Sequence, residues 1–407
     1  MAKSRAIPRA LWVALAILFL APRLTALVLQ LGRPLAGDEL SYNQIARNVS
    51  AGHGFAAGEG SEIRVPTAAR GPSYVLLVAS FDALFGADRS PLFAFQILLD
   101  AVSLLLLVRL AHRWFRSWWV AWLAGVLYAT YPPIILNTVF VLTETMTQLT
   151  ILIWVTLFVE YYERGRMRDL VFASIALGVC ALGKPHLALF GPVACLAALP
   201  RLQLAAAARA TVVVTAVVCL TMSPWIVRNA VVFHAFVPGV SIGGMGVLFG
   251  SGAFNGHTVG ALDHPAVPDS IRSLVATMDE IEANRWAGRE AMRAIREHPG
   301  RYAKLSILKV PRLWLNLGFD EGRPSRASLF IAAFNLLVLG LAFVGARVAV
   351  DKVAPRLVGF GAVYWTIVHI PFFANVRYAV PFLVLGFAFT AAGIVESTRG
   401  FRRPQSL

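Results

Sequence analysis

The sequence predicts an all-α polytopic membrane protein. It would have about ten transmembrane helices, juxtamembrane helices in the first outer loop and a long second outer loop. Three observations point there. Hydrophobic residues make up 57% of the 407 and charged residues only 14%, whereas a soluble domain is nearer half and one quarter. The apolar residues form runs near the ~20 residues that one bilayer crossing needs. Basic residues gather in the short connections between those runs, as the positive-inside rule requires. This composition excludes a disordered chain and argues against a water-soluble enzyme. The net charge of +15, from 37 Lys and Arg against 22 Asp and Glu, then serves to orient helices. No basic, aromatic-studded soluble segment offers itself to nucleic acid, so none is expected as a partner. Cys180, Cys195 and Cys219 lie inside apolar runs without a CxxC spacing and read as core residues.

In chain order, Lys3, Arg5 and Arg9 precede an apolar stretch that runs to about Leu31, interrupted only by Pro22-Arg23. That length reads as an uncleaved first helix rather than a signal peptide. Nine further crossings follow at 91–110, 118–136, 144–162, 169–184, 186–199, 210–227, 327–346, 356–373 and 377–395. Segment 73–86 is apolar but short, bounded by Gly71-Pro72 and Gly86. If it lies on the surface, every short basic loop shares one side: Arg109, Arg113 and Arg116, then Arg164, Arg166 and Arg168, then Arg201 and Arg209, then Arg347, Lys352 and Arg356. The N-terminal basic residues and Arg399, Arg402 and Arg403 join them. Both termini are therefore expected in the cytoplasm. The whole chain, 1–407, reads as one membrane-embedded domain with outer loops 32–90 and 228–326 and C-terminal helices in 327–407. Within the second loop, Ile271, Leu274, Val275, Met278 and Ile281 recur at helical spacing, which predicts one amphipathic helix. Gly243 to Gly260 is glycine-rich and predicts a flexible loop.

The chemistry concentrates just outside the first helix. In Gly37-Asp38-Glu39-Leu40-Ser41-Tyr42, Gly37 breaks the chain and Asp38 reads equally as a cap or as a catalytic carboxylate. Tyr42, Ile45 and Val49 share one face of the short surface helix that follows. Glu144 opens the fourth crossing from the same outer side, where a bare interfacial acid would also be at ease. Arg70, Lys184, Arg228 and Arg377 put cations at that face, with His186 and Tyr378 beside two of them. Each alone could anchor a helix at the interface. Together they suit an anionic head group whose lipid tail stays in the bilayer. Arg23 and Asp100 lie deeper, both about 12–14 Å in at 1.5 Å per residue. An unpaired charge at that depth is costly, so the two are expected to pair.

At these residues the sequence resembles the family 39-type glycosyltransferases of the C-type membrane superfamily, whose relatives include lipid A aminoarabinose transferases and protein O-mannosyltransferases. Asp38-Glu39 with Tyr42 resembles the family's acidic pair and tyrosine after the first helix. Arg70-Gly71-Pro72-Ser73-Tyr74 is similar to the basic segment that opens its second surface helix. Thr143-Glu144, Lys184-Pro185, Pro224-Trp225-Ile226-Val227-Arg228-Asn229, His298-Pro299 through Trp314, and Arg377-Tyr378 resemble further elements in order. Lys184 departs from the more usual Arg.

The resemblance implies a hexosyl- or pentosyltransferase that moves a sugar from a polyprenyl-phosphate donor to an acceptor hydroxyl on a lipid, glycan or protein. It also implies a bacterial inner membrane and a periplasmic active site. Asp38 would be the general base and Glu144 would orient the sugar or the acceptor, or assist Asp38 as a second catalytic carboxylate. Arg70, Lys184, Arg228 and Arg377 would stabilise the departing phosphate, with Glu39, Tyr42, His186 and Tyr378 lining the substrate site. Attack opposite the phosphate would invert the anomeric centre. Asp38, Glu39, Glu144 and His186 share one side, but no ligand spacing demands a metal, so no cofactor is expected. A transporter or flippase of a lipid-linked sugar is the rival reading, because Arg23 and Asp100 sit at depth. A non-catalytic scaffold would have no reason to gather acids and cations at one face.

Overall fold

The computed structural model describes residues 7–58, 63–198, 204–317, 325–351 and 353–400. Lys3, Arg5, Arg201, Lys352, Arg402 and Arg403, invoked above for their charge, lie outside the described residues. The first apolar run forms α1 (Arg9–Gln30), kept helical through Pro22. Next come α2 (Asp38–Ser50), a two-residue antiparallel pair of β1 (Ala56–Ala57) and β2 (Val65–Pro66), and α3 (Pro72–Phe85). A 14-residue helix is too short for a bilayer. Instead α3 lies on α2, burying Tyr74, Val75 and Val78 against Tyr42, Ile45 and Ala46.

The bundle continues with α4 (Ser90–Phe115), α5 (Trp118–Thr130), α6 (Pro132–Asn137), α7 (Glu144–Arg164) and α8 (Met167–Gly183). A 3-10 turn at Pro185–Leu189 leads into α9 (Phe190–Ala198), followed by α10 (Leu204–Phe233). The long segment after α10 holds α11 (Gly243–Ser251), α12 (Asp269–Ala276), α13 (Glu280–Glu297) and α14 (Pro299–Leu315). The chain closes with α15 (Arg326–Arg347), α16 (Val353–His369) and α17 (Val376–Gly400). Among the described residues, α1, α4, α10, α15 and α17 are long and apolar enough to cross a membrane.

Four expectations change in detail. Segment 118–136 is two helices, because the Pro132-Pro133 pair cannot supply the backbone donors a continuing helix needs. Segment 186–199 starts as a 3-10 turn after Pro185. The apolar period over 271–281 spans two helices, broken where Asp279 caps α13 by accepting from the Ile281 and Glu282 N–H groups. Part of the glycine-rich stretch is helical. Its glycines allow close packing rather than flexibility, since a Cβ on Gly250 would lie 2.3 Å from the Pro371 carbonyl oxygen.

Large side chains fill the core between helices: Trp114, Trp154, Phe158, Trp365 and Phe387 are all fully enclosed. At one end of the bundle Arg113 pairs with Glu160 and Glu163 at 2.6 Å, tying α4 to α7. The starts of α2, α7 and α17 lie together at the other end, as their contacts below show. Midway, the expected deep pair is present. Arg23 Nε donates to Asp100 at 2.6 Å, and its Nη1 donates to the Phe19 and Ala129 carbonyls at 2.9 Å. Asp100 also accepts from Tyr128 and from Gln148. Both charges are sealed from solvent, so removing one partner strands the other. Arg23→Met or Asp100→Leu alone is expected to cost about 3–5 kcal/mol of stability. The double variant should recover most of that loss, as measured by thermal unfolding in detergent.

Candidate active site

Gly37 has φ of +56°, a region that favours glycine, and turns the chain abruptly into α2. Asp38 is thereby placed on the first turn, where the helix dipole favours an acid. It does not cap: no side-chain capping bond is made at this end. One carboxylate oxygen instead accepts from Arg70 Nη2 at 2.7 Å and the other from Arg377 Nη2. Burial pushes the Asp38 carboxyl up, but Arg70 and Arg377 outweigh it and hold it below the usual carboxylate range. The side chain keeps 31% exposure, so it remains reachable.

Arg70 is fixed from three sides. Its Nε donates to Ser41 at 3.1 Å, and its guanidinium lies 5.0 Å from the centre of the Tyr42 ring. The next residue must be glycine, since a Cβ on Gly71 would fall 1.9 Å from the Leu182 carbonyl oxygen. That close approach brings the Arg70 segment against the end of α8, where Lys184 follows. Tyr42 packs edge-on against Tyr74, and burial pushes its hydroxyl up to about 12. It therefore stays protonated at neutral pH.

Glu144 opens α7 and is 3% exposed. One of its oxygens lies 3.5 Å from Lys184 Nζ and 3.5 Å from Arg377 Nε; the other is buried without a hydrogen-bond partner among the described residues. Arg377 therefore bridges the two acids. Tyr378 lies against both cations, its ring centre 5.1 Å from Arg377 and 5.5 Å from Lys184. Two carboxylates and three cations thus meet, leaving one net positive charge. An apolar groove of about 160 Å³ runs between α14, α15, α16 and α17, lined by Trp314, Ala342, Gly359, Phe382 and Gly386. Its lining residue Phe382 is five positions past Arg377, about 8 Å along the helix.

Asp38, Tyr42, Arg70, Glu144, Lys184, Arg377 and Tyr378 are brought together as the sequence suggested. Three others are not. Both oxygens of Glu39 accept from Arg33, and they also hold the Ala36 and Val141 N–H groups. Glu39 therefore stitches the first loop to the segment before Glu144 and does not join the cluster around Asp38. Arg228 donates to the Thr67 and Phe55 carbonyls at 2.9 Å and stacks over Trp225. It grips backbone instead of joining the cluster. His186 packs its ring 4.9 Å from His369 and 5.6 Å from Trp365, behind Lys184.

Ser41 and His369 escaped the sequence reading. Ser41 lies one turn from Asp38, so helical spacing was a usable signal. His369, stacked on Tyr378 at 5.8 Å, gave none, because it ends a helix on the far side of the 370–375 turn. A separate cavity of about 400 Å³ lies behind α2, lined by Arg33, Asn43, Arg47 and Arg89.

Comparison with known proteins agrees with this architecture. A family model described as dolichyl-phosphate-mannose-protein mannosyltransferase matches residues 69–227. That range includes Arg70, Glu144 and Lys184 but neither Asp38 nor Arg377. The archaeal oligosaccharyltransferase AglB from Archaeoglobus fulgidus, solved with an inhibitory peptide and a dolichol-phosphate, superposes with a TM-score of 0.54 at 15% identity. The match covers 95% of this chain and 50% of that one, so this chain spans half the length of the archaeal structure. ArnT from Cupriavidus metallidurans bound to undecaprenyl phosphate superposes at 0.45 with 15% identity, covering 95% of this chain and 79% of that one. Its apo state gives 0.43 with 17% identity, over 94% and 77%. No curated protein matches. The chain resembles the C-type membrane glycosyltransferases, and the superposition on AglB shows the shared fold.

The depressed Asp38 carboxyl gives a signed pH dependence. Its pairing contributes stability above the unfolded-state value of about 3.9 and loses it as pH falls through the lower folded-state value. The melting temperature of Asp38→Asn should lie below wild type by a constant gap above about pH 5 and merge with it in strong acid.

Proposed function

We propose that this chain transfers a sugar from a polyprenyl-phosphate donor to an acceptor hydroxyl, with Asp38 as general base. The observation that carries this reading is the Asp38 carboxylate held between the Arg70 and Arg377 guanidiniums. A base whose pKa is depressed by two cations is a weak base. A donor phosphate brings competing negative charge to the same guanidiniums. As Arg70 and Arg377 turn to it, Asp38 keeps its burial but loses its counter-charges, and its proton affinity rises. Donor binding thus switches the base on.

The acceptor hydroxyl then gives its proton to Asp38 while its oxygen bonds to the anomeric carbon. The bond from that carbon to the phosphate oxygen breaks, and the electron pair leaves with polyprenyl phosphate. Arg70, Arg377 and Lys184 stabilise the developing phosphate charge in a partly dry site. Attack opposite the leaving group inverts the anomeric centre. Glu144, with one buried oxygen unpartnered among the described residues, is suited to accept from a sugar hydroxyl. The apolar groove suits part of the prenyl tail.

In this reading loops 32–90 and 228–326 face the periplasm, the termini the cytoplasm, and the membrane is a bacterial inner membrane. The acceptor is a lipid, glycan or protein hydroxyl. The flippase reading draws less support, because Arg23 and Asp100 are tied to each other and to Phe19, Ala129, Tyr128 and Gln148.

Purified protein supplied with labelled polyprenyl-phosphate sugars and hydroxyl acceptors should transfer label. Asp38→Asn is expected to reduce the rate by about 10²–10⁴-fold while still binding donor, whereas Arg377→Gln should weaken donor binding. Undiminished transfer by Asp38→Asn would rule out the base assignment. Movement of intact lipid without transfer would favour the flippase.

A further inference from the structure

The backbone that presents Arg70 is held by a residue from a distant part of the chain. Glu280, half-buried on the first turn of α13, uses both carboxylate oxygens on the strap just before Arg70. One accepts from the Ala68 N–H at 2.8 Å and from the Ser241 hydroxyl; the other accepts from the Thr67 hydroxyl at 2.5 Å. The Thr67 hydroxyl oxygen in turn accepts from the Ala69 N–H at 3.0 Å, next to Arg70 itself. The Ala68 carbonyl accepts from the Ser241 N–H at 2.9 Å. Ala68 is fully buried, so its amide groups have no water to turn to if these partners are lost. Arg228 completes the clamp through the Thr67 carbonyl.

The same outer loop also grips the approach to Arg377. Lys309 Nζ, on α14, donates to the Gly250 and Ile370 carbonyls at 2.6 Å. Gly250 lies against Pro371 and Phe372, and the Arg377 N–H is held by the Asn375 side chain at 2.9 Å. The segment that reaches Glu280 is anchored to this part by the Gly244 N–H donating to Asn284, on α13, at 2.6 Å. One outer-loop assembly therefore holds both backbones whose arginines meet at Asp38.

We propose that Glu280 is a positioning residue: it sets Arg70 at the spacing from Arg377 that a single donor phosphate can bridge. This rests on the polyprenyl-phosphate reading above. Glu280 touches no reacting atom. Its effect passes along two residues of backbone; in metal sites, changing a residue that holds a ligand typically costs about 10–100-fold in affinity, and a comparable loss is expected here.

The test measures undecaprenyl phosphate affinity in detergent for the full-length protein, with hydrogen exchange of the 66–70 backbone read in parallel. Glu280→Ala should raise exchange at Ala68 and Ala69 and weaken binding by about tenfold or more. Glu280→Gln keeps an oxygen for the Ala68 N–H and should restore most of both. On an Arg70→Gln background Glu280→Ala should add no further loss of affinity, because the two act through one contact. Wild-type affinity in Glu280→Ala overturns the proposal, as does an additive loss in the double variant. Failure of the wild-type protein itself to bind undecaprenyl phosphate overturns the donor reading, and the role of Glu280 falls with it.

Discussion

One carboxylate shared by two guanidiniums organises this protein. Asp38, Arg70 and Arg377 are separated by up to 339 residues, and each is delivered by the end of a different segment. At the boundary of an apolar bundle, charges gain from pairing what they lose in hydration only if the geometry is good. The fold supplies that geometry through a left-handed glycine before Asp38, a glycine after Arg70 that admits the end of α8, and the turn before α17. The resulting cluster carries surplus positive charge. Both acids are paired with cations, yet the surplus charge leaves the cluster receptive to an anion, which is the balance a site needs if it binds and releases a phosphate.

The supporting interactions divide by depth. In mid-bundle, Arg23 and Asp100 spend their charge on each other and on neighbouring carbonyl, phenol and amide groups, so they specify how α1, α4, α5 and α7 align. At the end of the bundle that holds the cluster, acids that look interchangeable in the sequence do different work. Glu39 closes on Arg33 and the Val141 amide, Glu144 turns to Lys184 and Arg377, and Glu280 holds the Arg70 strap. Nothing in the local sequence around Glu39 distinguishes it from Asp38. The difference is which way each faces on α2: adjacent helical residues point about 100° apart, and only one of those directions leads to Arg377.

Much of the architecture is legible because hydrophobic length and charge placement act locally. A run of apolar residues needs a bilayer or a core wherever it occurs, and the paired Pro132-Pro133 interrupts a helix where the single Pro22 is carried inside α1. The single helix expected over 118–136 fails only where Pro132-Pro133 intervene. The loop expected over the glycine-rich stretch fails because a glycine's smallness serves close packing as readily as flexibility, and sequence alone does not separate the two. His369 and Glu280 stayed hidden for a related reason: each matters through a partner more than eight residues away, with no periodicity linking them.

By itself, then, the sequence determined the helical class, the short apolar segment 73–86 set apart from the long runs, the deep Arg23–Asp100 pair and the set of residues from which a site could be drawn. These follow from solvation, which penalises each exposed apolar run and each buried lone charge wherever it lies. Only the tertiary structure decided the membership of the cluster. It turned Glu39 to Arg33 and two backbone amides, turned Arg228 to backbone carbonyls, kept Asp38 for two arginines and enlisted Glu280 from the far loop. Coulombic and hydrogen-bond partners are chosen by distance and direction in space, and a linear chain encodes those only once its helices are packed.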